Sequence, residues 1–204
     1  MPTVAVISCH VERPLDDSAW TRFDALQRRR PGGFDVIALI RPPDADYGEP
    51  EEPWLERARA AAARAPLGLH THWTSPTHAR PVSGDPAARV RRETEWMRER
   101  GLGPRYFCGG GWYTDEAVRA AVVELGLVDC TPRGGEPSDG VLPTTHSLGS
   151  LARAVLRPLP AYVHAYFHDY DLLDIRRRVT LDVSLAVLGR RARGLRVGGE
   201  APRG

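Results

Sequence analysis

Short, nearly continuous apolar runs alternate along the chain with segments in which apolar residues return every three or four positions. The runs cover residues 3–8, 34–40, 67–72, 105–108, 127–130, 141–144 and 161–167. Runs this short, rich in Val, Ile, Leu and aromatic residues, read as strands buried on both faces, the pattern of a parallel sheet. The segments between them, residues 18–30, 53–65, 85–100, 114–125, 148–156 and 172–191, read as helices. The first carries Trp20, Phe23 and Leu26 on one face and stops at Gly32-Gly33. The third opens on Asp85-Pro86, a capping carboxylate followed by a first-turn proline, and stops at Gly101. This alternation predicts an α/β fold of seven parallel strands, a barrel-like count.

Parallel βα folds carry their sites at the carboxyl ends of the strands. The polar clusters of this chain fall there, at residues 9–12, 70–72, 108–112, 144–146 and 168–171. Side chains two apart on a strand share a face, so His10 points with Glu12 and His70 with His72. Imidazoles and a carboxylate on one face are the donor types of a hydrolytic metal site. His168 follows the last apolar run directly, and one of Asp169 and Asp171 beside it is expected to cap the next helix.

Composition narrows the function classes. The 204 residues fit a single domain over residues 1–193, followed by a loose tail, 194–204. All 28 basic residues other than histidine are arginine; with 26 acidic residues the net charge is +2, which argues against a nucleic-acid-binding face. The arginine runs at 28–30 and 176–178 read as solvated helix faces. No apolar stretch is long enough for a membrane span, and the chain opens on "TVAVIS" without a basic leader, so a cytoplasmic protein acting on a small molecule is expected. Cys9, Cys108 and Cys130 are too scattered for a disulfide framework and read as small buried hydrophobes. The "CGGGW" segment lacks the spacing of a phosphate loop; it reads as backbone closely approaching a substrate, with Trp112 as a wall. Trp73 is placed either to stack on a sugar ring or to fill the core. His146 and His164 read as ordinary loop and strand histidines.

Four blocks, "VAVISCHVE", "LGLHTHWTSP", "YFCGGGWYTDEAVRAAVVELGLVDCT" and "YFHDYDLLD", resemble in order and spacing the motifs of the polysaccharide deacetylase (NodB-homology) superfamily, carbohydrate esterase family 4. The resemblance runs over residues 3–190. It implies an irregular (β/α)7 barrel and metal-dependent removal of an N-acyl group from an amino sugar, with a divalent ion, most simply zinc, as cofactor. It also implies that His168 is the acid that protonates the leaving amine. The expected substrate surface comprises Trp73, Cys108, Gly110, Trp112 and Asp171.

The chain departs from the family at two paired positions. The family's catalytic aspartate lines up with His10, and the arginine that steadies it lines up with Cys108. A buried guanidinium stripped of its carboxylate is costly, so a joint change is physically consistent. Arg105 is a distant replacement, with surface arginine its simpler role. The family spaces its histidine ligands four apart, but position 74 is threonine, leaving His72 as second ligand and His78 as a remote substitute. Two site assignments follow. Glu12, His70 and His72 hold the ion with His10 as base, or His10, His70 and His72 hold it with Glu12 as base; the first is preferred. Two further readings compete: a barrel kept as a non-catalytic binding module, and a C–N hydrolase or isomerase acting on a non-sugar.

Overall fold

The computed structural model describes residues 3–194. Its strands are β1 (Thr3–Val11), β2 (Val36–Ile40), β3 (Leu67–Thr71), β4 (Tyr106–Gly109), β5 (Val128–Asp129), β6 (His146–Ser147), β7 (Tyr162–His168) and β8 (Ala192–Gly194). Between them run α1 (Asp17–Arg29), α2 (Glu51–Ala62), α3 (Pro86–Glu99), α4 (Glu116–Glu124), α5 (Leu148–Ala154) and α6 (Ile175–Arg191). The sheet order is β5-β4-β3-β2-β1-β7-β6, and every paired strand is parallel. This is the curled sheet of an irregular (β/α)7 barrel. Asp16, Asp85, Asp115 and Asp174 cap α1, α3, α4 and α6 by accepting amide hydrogens of the first turn.

Alternation along the strands sorts residues into two apolar bodies. Ala5, Ile7, Cys9 and Val11 of β1, Leu69 of β3, Phe107 of β4 and Val163 and Phe167 of β7 pack outward against the helices. Val6, Ile37, Leu39, Tyr106, Cys108 and Tyr162 form a smaller cluster inside the curl. The inward series of β1 therefore continues Val6, Ser8, His10, Glu12. That of β3 is Gly68, His70, His72, and that of β7 ends Tyr166, His168. Register does the rest: His10 lies opposite His168 and His70 opposite Cys108.

Two elements differ from expectation. Residues 141–144 make no regular strand, only isolated bridges from Val141 to Asp129 and Ser138 and from Thr144 to Arg133. Pro143 has no amide hydrogen, so the ladder is broken there and resumes in β6, two residues later. This segment joins β5 to β7 and closes the curl. Ala192–Gly194, expected partly as loose tail, pairs with Thr3–Ala5 and extends the sheet below β2; the remainder of that tail, 195–204, lies outside the described residues. Among the described residues no helix is long and apolar enough to cross a membrane.

Gly68 marks how full the interior is. A Cβ there would come within 2.5 Å of Leu39 Cδ2 and 2.8 Å of the Tyr106 backbone oxygen. Replacing Gly68 by alanine is expected to lower unfolding stability in urea by about 1–3 kcal/mol, the usual cost of overpacking.

Candidate functional site

Glu12 leaves the end of β1 with its carboxylate at the centre of three imidazoles. Its Oε1 lies 3.4 Å from His70 Nε2, 3.7 Å from His72 Nε2 and 3.6 Å from His168 Nε2. On the far side of two of those rings stand carbonyl oxygens: His70 Nδ1 is 3.0 Å from the Cys108 oxygen and His72 Nδ1 is 3.0 Å from the Pro76 oxygen. A carbonyl only accepts, so each Nδ1 carries the proton and donates, and in the neutral ring Nε2 is a bare lone pair. Burial pushes the His70 imidazole below its ordinary value despite the neighbouring carboxylate, favouring that neutral ring.

The Nε2 atoms of His10, His70 and His72 are buried without a hydrogen-bond partner. Lone pairs that face one another across a carboxylate repel unless a cation lies among them. The donor atoms of Glu12, His70 and His72 all lie within 4.8 Å of one another, two nitrogens and an oxygen that suit a divalent transition ion with positions left open. Carbonyl acceptors at each Nδ1 are the usual outer support of such ligands. His10, His70 and His72 do not form a comparable three-donor set among the described residues.

The supports of Glu12 and His168 are long-range. Arg41, 4 % exposed, donates to the Glu12 backbone oxygen at 3.1 Å and to Glu49 through two bonds of 2.6 Å. Trp54 in turn donates to the Arg41 oxygen at 2.7 Å. This clamp was not foreseen from the sequence, although Arg41 continues the inward parity of Ile37 and Leu39. Asp169, whose carboxyl burial pushes up to about 6, accepts from the Arg13 and Tyr170 amides at 2.8 and 2.9 Å and so ties the ends of β1 and β7 together. Asp171 accepts the His168 amide hydrogen at 2.9 Å, lies 3.6 Å from His168 Nδ1 and pairs with Arg177. Asp174, rather than Asp169 or Asp171, caps α6.

His10 completes the cluster from below. Its ring stacks on His70 at 4.6 Å and on Tyr166 at 5.2 Å and meets His168 edge-on at 5.1 Å. Burial, reinforced by the His70 and His168 imidazoles, pushes it well below the usual histidine range. Trp112, with φ +60°, turns its indole toward His10 and Tyr166, and Arg133 covers the ring at 4.7 Å. Arg133 is a second group missed from the sequence, because it enters from the glycine-rich loop after β5. A cavity of about 450 Å³ opens beside His168, lined by Tyr166, Asp171, Arg176, Arg177 and Thr180 among others.

Three expected substrate contacts are corrected. Trp73, 5 % exposed, packs in the outer core and donates its indole hydrogen to the Gly110 oxygen at 3.1 Å. It shares the outward parity of Leu67 and Leu69, which excludes it from the interior face. Gly110 is a close approach of backbone to backbone: a Cβ would meet the Thr71 oxygen at 2.5 Å. Cys108 is fully buried beside His10 and His70, and burial holds its thiol far above the usual range, removing it also as a nucleophile. Its closeness to His10 fits the paired replacement inferred from the sequence. His78 lies exposed in the turn after β3, and Arg105 is exposed before β4. His146 lies in β6, with Nδ1 2.8 Å from Thr145 Oγ1.

No protein-family model and no functionally curated protein matches the chain. Solved structures do. A chitin deacetylase from the fungal pathogen Colletotrichum lindemuthianum superposes with a TM-score of 0.64 at 15 % identity, over 99 % of this chain and 90 % of that one. A family 4 carbohydrate esterase from Streptomyces lividans, in complex with acetate, gives 0.55 at 14 % identity, over 93 % and 88 %. A carbohydrate esterase family 4 pseudoenzyme from Bacillus anthracis gives 0.62 at 9 % identity, over 95 % and 63 %. The likeness at these identities is one of fold. The fold is that of the polysaccharide deacetylases of carbohydrate esterase family 4, as the sequence motifs implied.

His164 behaves as a core histidine. Its Nδ1 donates to the Leu142 oxygen at 3.0 Å, its Nε2 lies 2.9 Å from Ser8 Oγ, and burial lowers it to about 4. The unfolded histidine binds a proton below about 6.5 while the folded one stays neutral to about 4, so the fold loses stability as pH falls through that window. In metal-free protein, His164→Gln is expected to remove about 1–3 kcal/mol of this pH-dependent loss, read from urea unfolding at pH values across the window.

Proposed function

We propose that the protein is a metal-dependent deacetylase that removes an N-acyl group from a small amino sugar or a related amine. The observation that carries this reading is the set of unpartnered histidine lone pairs around the Glu12 carboxylate, buried at the mouth of a deacetylase fold. Glu12, His70 and His72 would hold the ion, most simply zinc. A bound divalent ion supplies a Lewis acid for the acyl oxygen and lowers the pKa of water toward neutrality.

The residues of the chain supply the proton transfers. His10, neutral through burial, accepts a proton at Nε2 from the attacking water, whose oxygen forms the new bond to the acyl carbon. The carbon–nitrogen bond then breaks, and the amine leaves with a proton from His168 Nε2. Asp171, braced by Arg177, sets the orientation of the His168 ring. Trp112 and Tyr166 form an aromatic wall suited to the face of a sugar, and the adjoining cavity leaves room for a small acylated substrate. Purified protein reconstituted with zinc is expected to retain about one tightly bound equivalent, lost in His70→Ala. Elemental analysis showing no tightly bound metal would overturn the reading.

His10 at the position of the family aspartate favours a second reading, a binding module without turnover. Release of amine from a panel of N-acetyl and N-formyl amines separates the two. His168→Ala should keep the tight metal equivalent while cutting turnover by roughly 10²–10⁴-fold, the range for a lost general acid. Unchanged turnover in that variant would remove His168 from the mechanism.

A further inference from the structure

The Glu12 carboxylate belongs to two donor sets. One is Glu12 with His70 and His72; the other is His10, Glu12 and His168, whose donor atoms also lie within 4.8 Å of one another. In the second set His10 Nε2 is buried, in a residue only 2 % exposed, and has no hydrogen-bond partner. His168 Nε2 stands 3.6 Å from Glu12 Oε1, and its Nδ1 is 3.6 Å from the Asp171 carboxylate, the kind of outer partner that orients a metal-bound imidazole. The side chains of His168 and Glu12 are 23 % and 21 % exposed, so this face is open to an entering ion.

We infer that His10, Glu12 and His168 form a second, inhibitory site for a late divalent transition ion such as zinc or cobalt. The inference rests on the deacetylase reading in that the same two histidines are the base and the acid. Two imidazoles and a carboxylate select zinc, cobalt or nickel over magnesium and calcium, which prefer all-oxygen sites. An ion there engages the Nε2 lone pairs of both histidines, so neither proton transfer can occur. The second ion binds more weakly than the first, because both are dications and share a single carboxylate. A third grouping, His10, His70 and Cys108, competes poorly: it is fully buried and takes His70 from the first site.

Zinc titration of the metal-free protein, with bound metal counted by equilibrium dialysis, tests this. Two equivalents are expected in the wild type, the second weaker, with turnover falling as the second fills. His168→Gln, checked for folding by circular dichroism, should bind one equivalent, while Cys108→Ser should still bind two. Cobalt in the second site should give no thiolate charge-transfer band. A single equivalent in the wild type overturns the second site and leaves the deacetylase reading standing; none overturns both. Two equivalents in His168→Gln, or a thiolate band, places the second ion elsewhere and overturns the inference.

Discussion

Hydrogen-bond acceptors turned toward one another in a buried space are a liability, and this molecule is arranged around one such convergence. Carbonyl oxygens behind His70 and His72 oblige each ring to present its lone pair to the Glu12 carboxylate. The polypeptide holds those rings in place without relieving the repulsion. Arg41, buried and paired with Glu49, grips the backbone of Glu12, while Asp169 ties the end of β1 to the end of β7. Such stored electrostatic cost is typical of a site completed by something the chain does not itself contain.

The parity of strands explains why the convergence exists. With β1, β3 and β7 parallel, every second residue of each strand enters the same narrow lumen, and register sets their heights. Lower layers are filled by Val6, Ile37, Tyr106 and Tyr162, and the histidines begin where the apolar filling stops. His164 is the instructive contrast. It shares the parity of His168 but lies four residues deeper, where Ser8 and the Leu142 carbonyl satisfy both ring nitrogens. The same side chain is a core residue at one depth and a site residue at the other.

Much of this was legible in the sequence, because parity is a local property. His10 with Glu12, and His70 with His72, followed from period two alone, and the motif order brought His168 to the same end of the fold. Depth and distant partners were not legible. Cys108 has the correct parity but is fully buried beside His10 and His70, and Gly110 meets the Thr71 oxygen rather than a ligand. Trp73 has the wrong parity, a sign its nearness to the histidines concealed. Arg41 with Glu49, and Arg133 over Trp112, depend on loops whose paths no periodicity encodes. Pro143 alone argued against a regular sixth strand, since it cannot donate to a ladder.

That broken sixth stave divides the circumference into two materials. The arc from β7 through β1 to β4 is a continuous hydrogen-bonded ladder, and it carries Glu12 and the four histidines around it. The arc from β5 to β6 is stitched by single bridges and preceded by an exposed, glycine-rich loop. Ser147, Leu148 and Gly149, at the soft arc's far end, border the cavity beside His168. Loop insertions and substitutions there can reshape the cavity while the ladder that fixes the donors stays intact. The chain thus separates the wall of the cavity from the ladder that sets the donors, with the first free to diverge at little cost to the second.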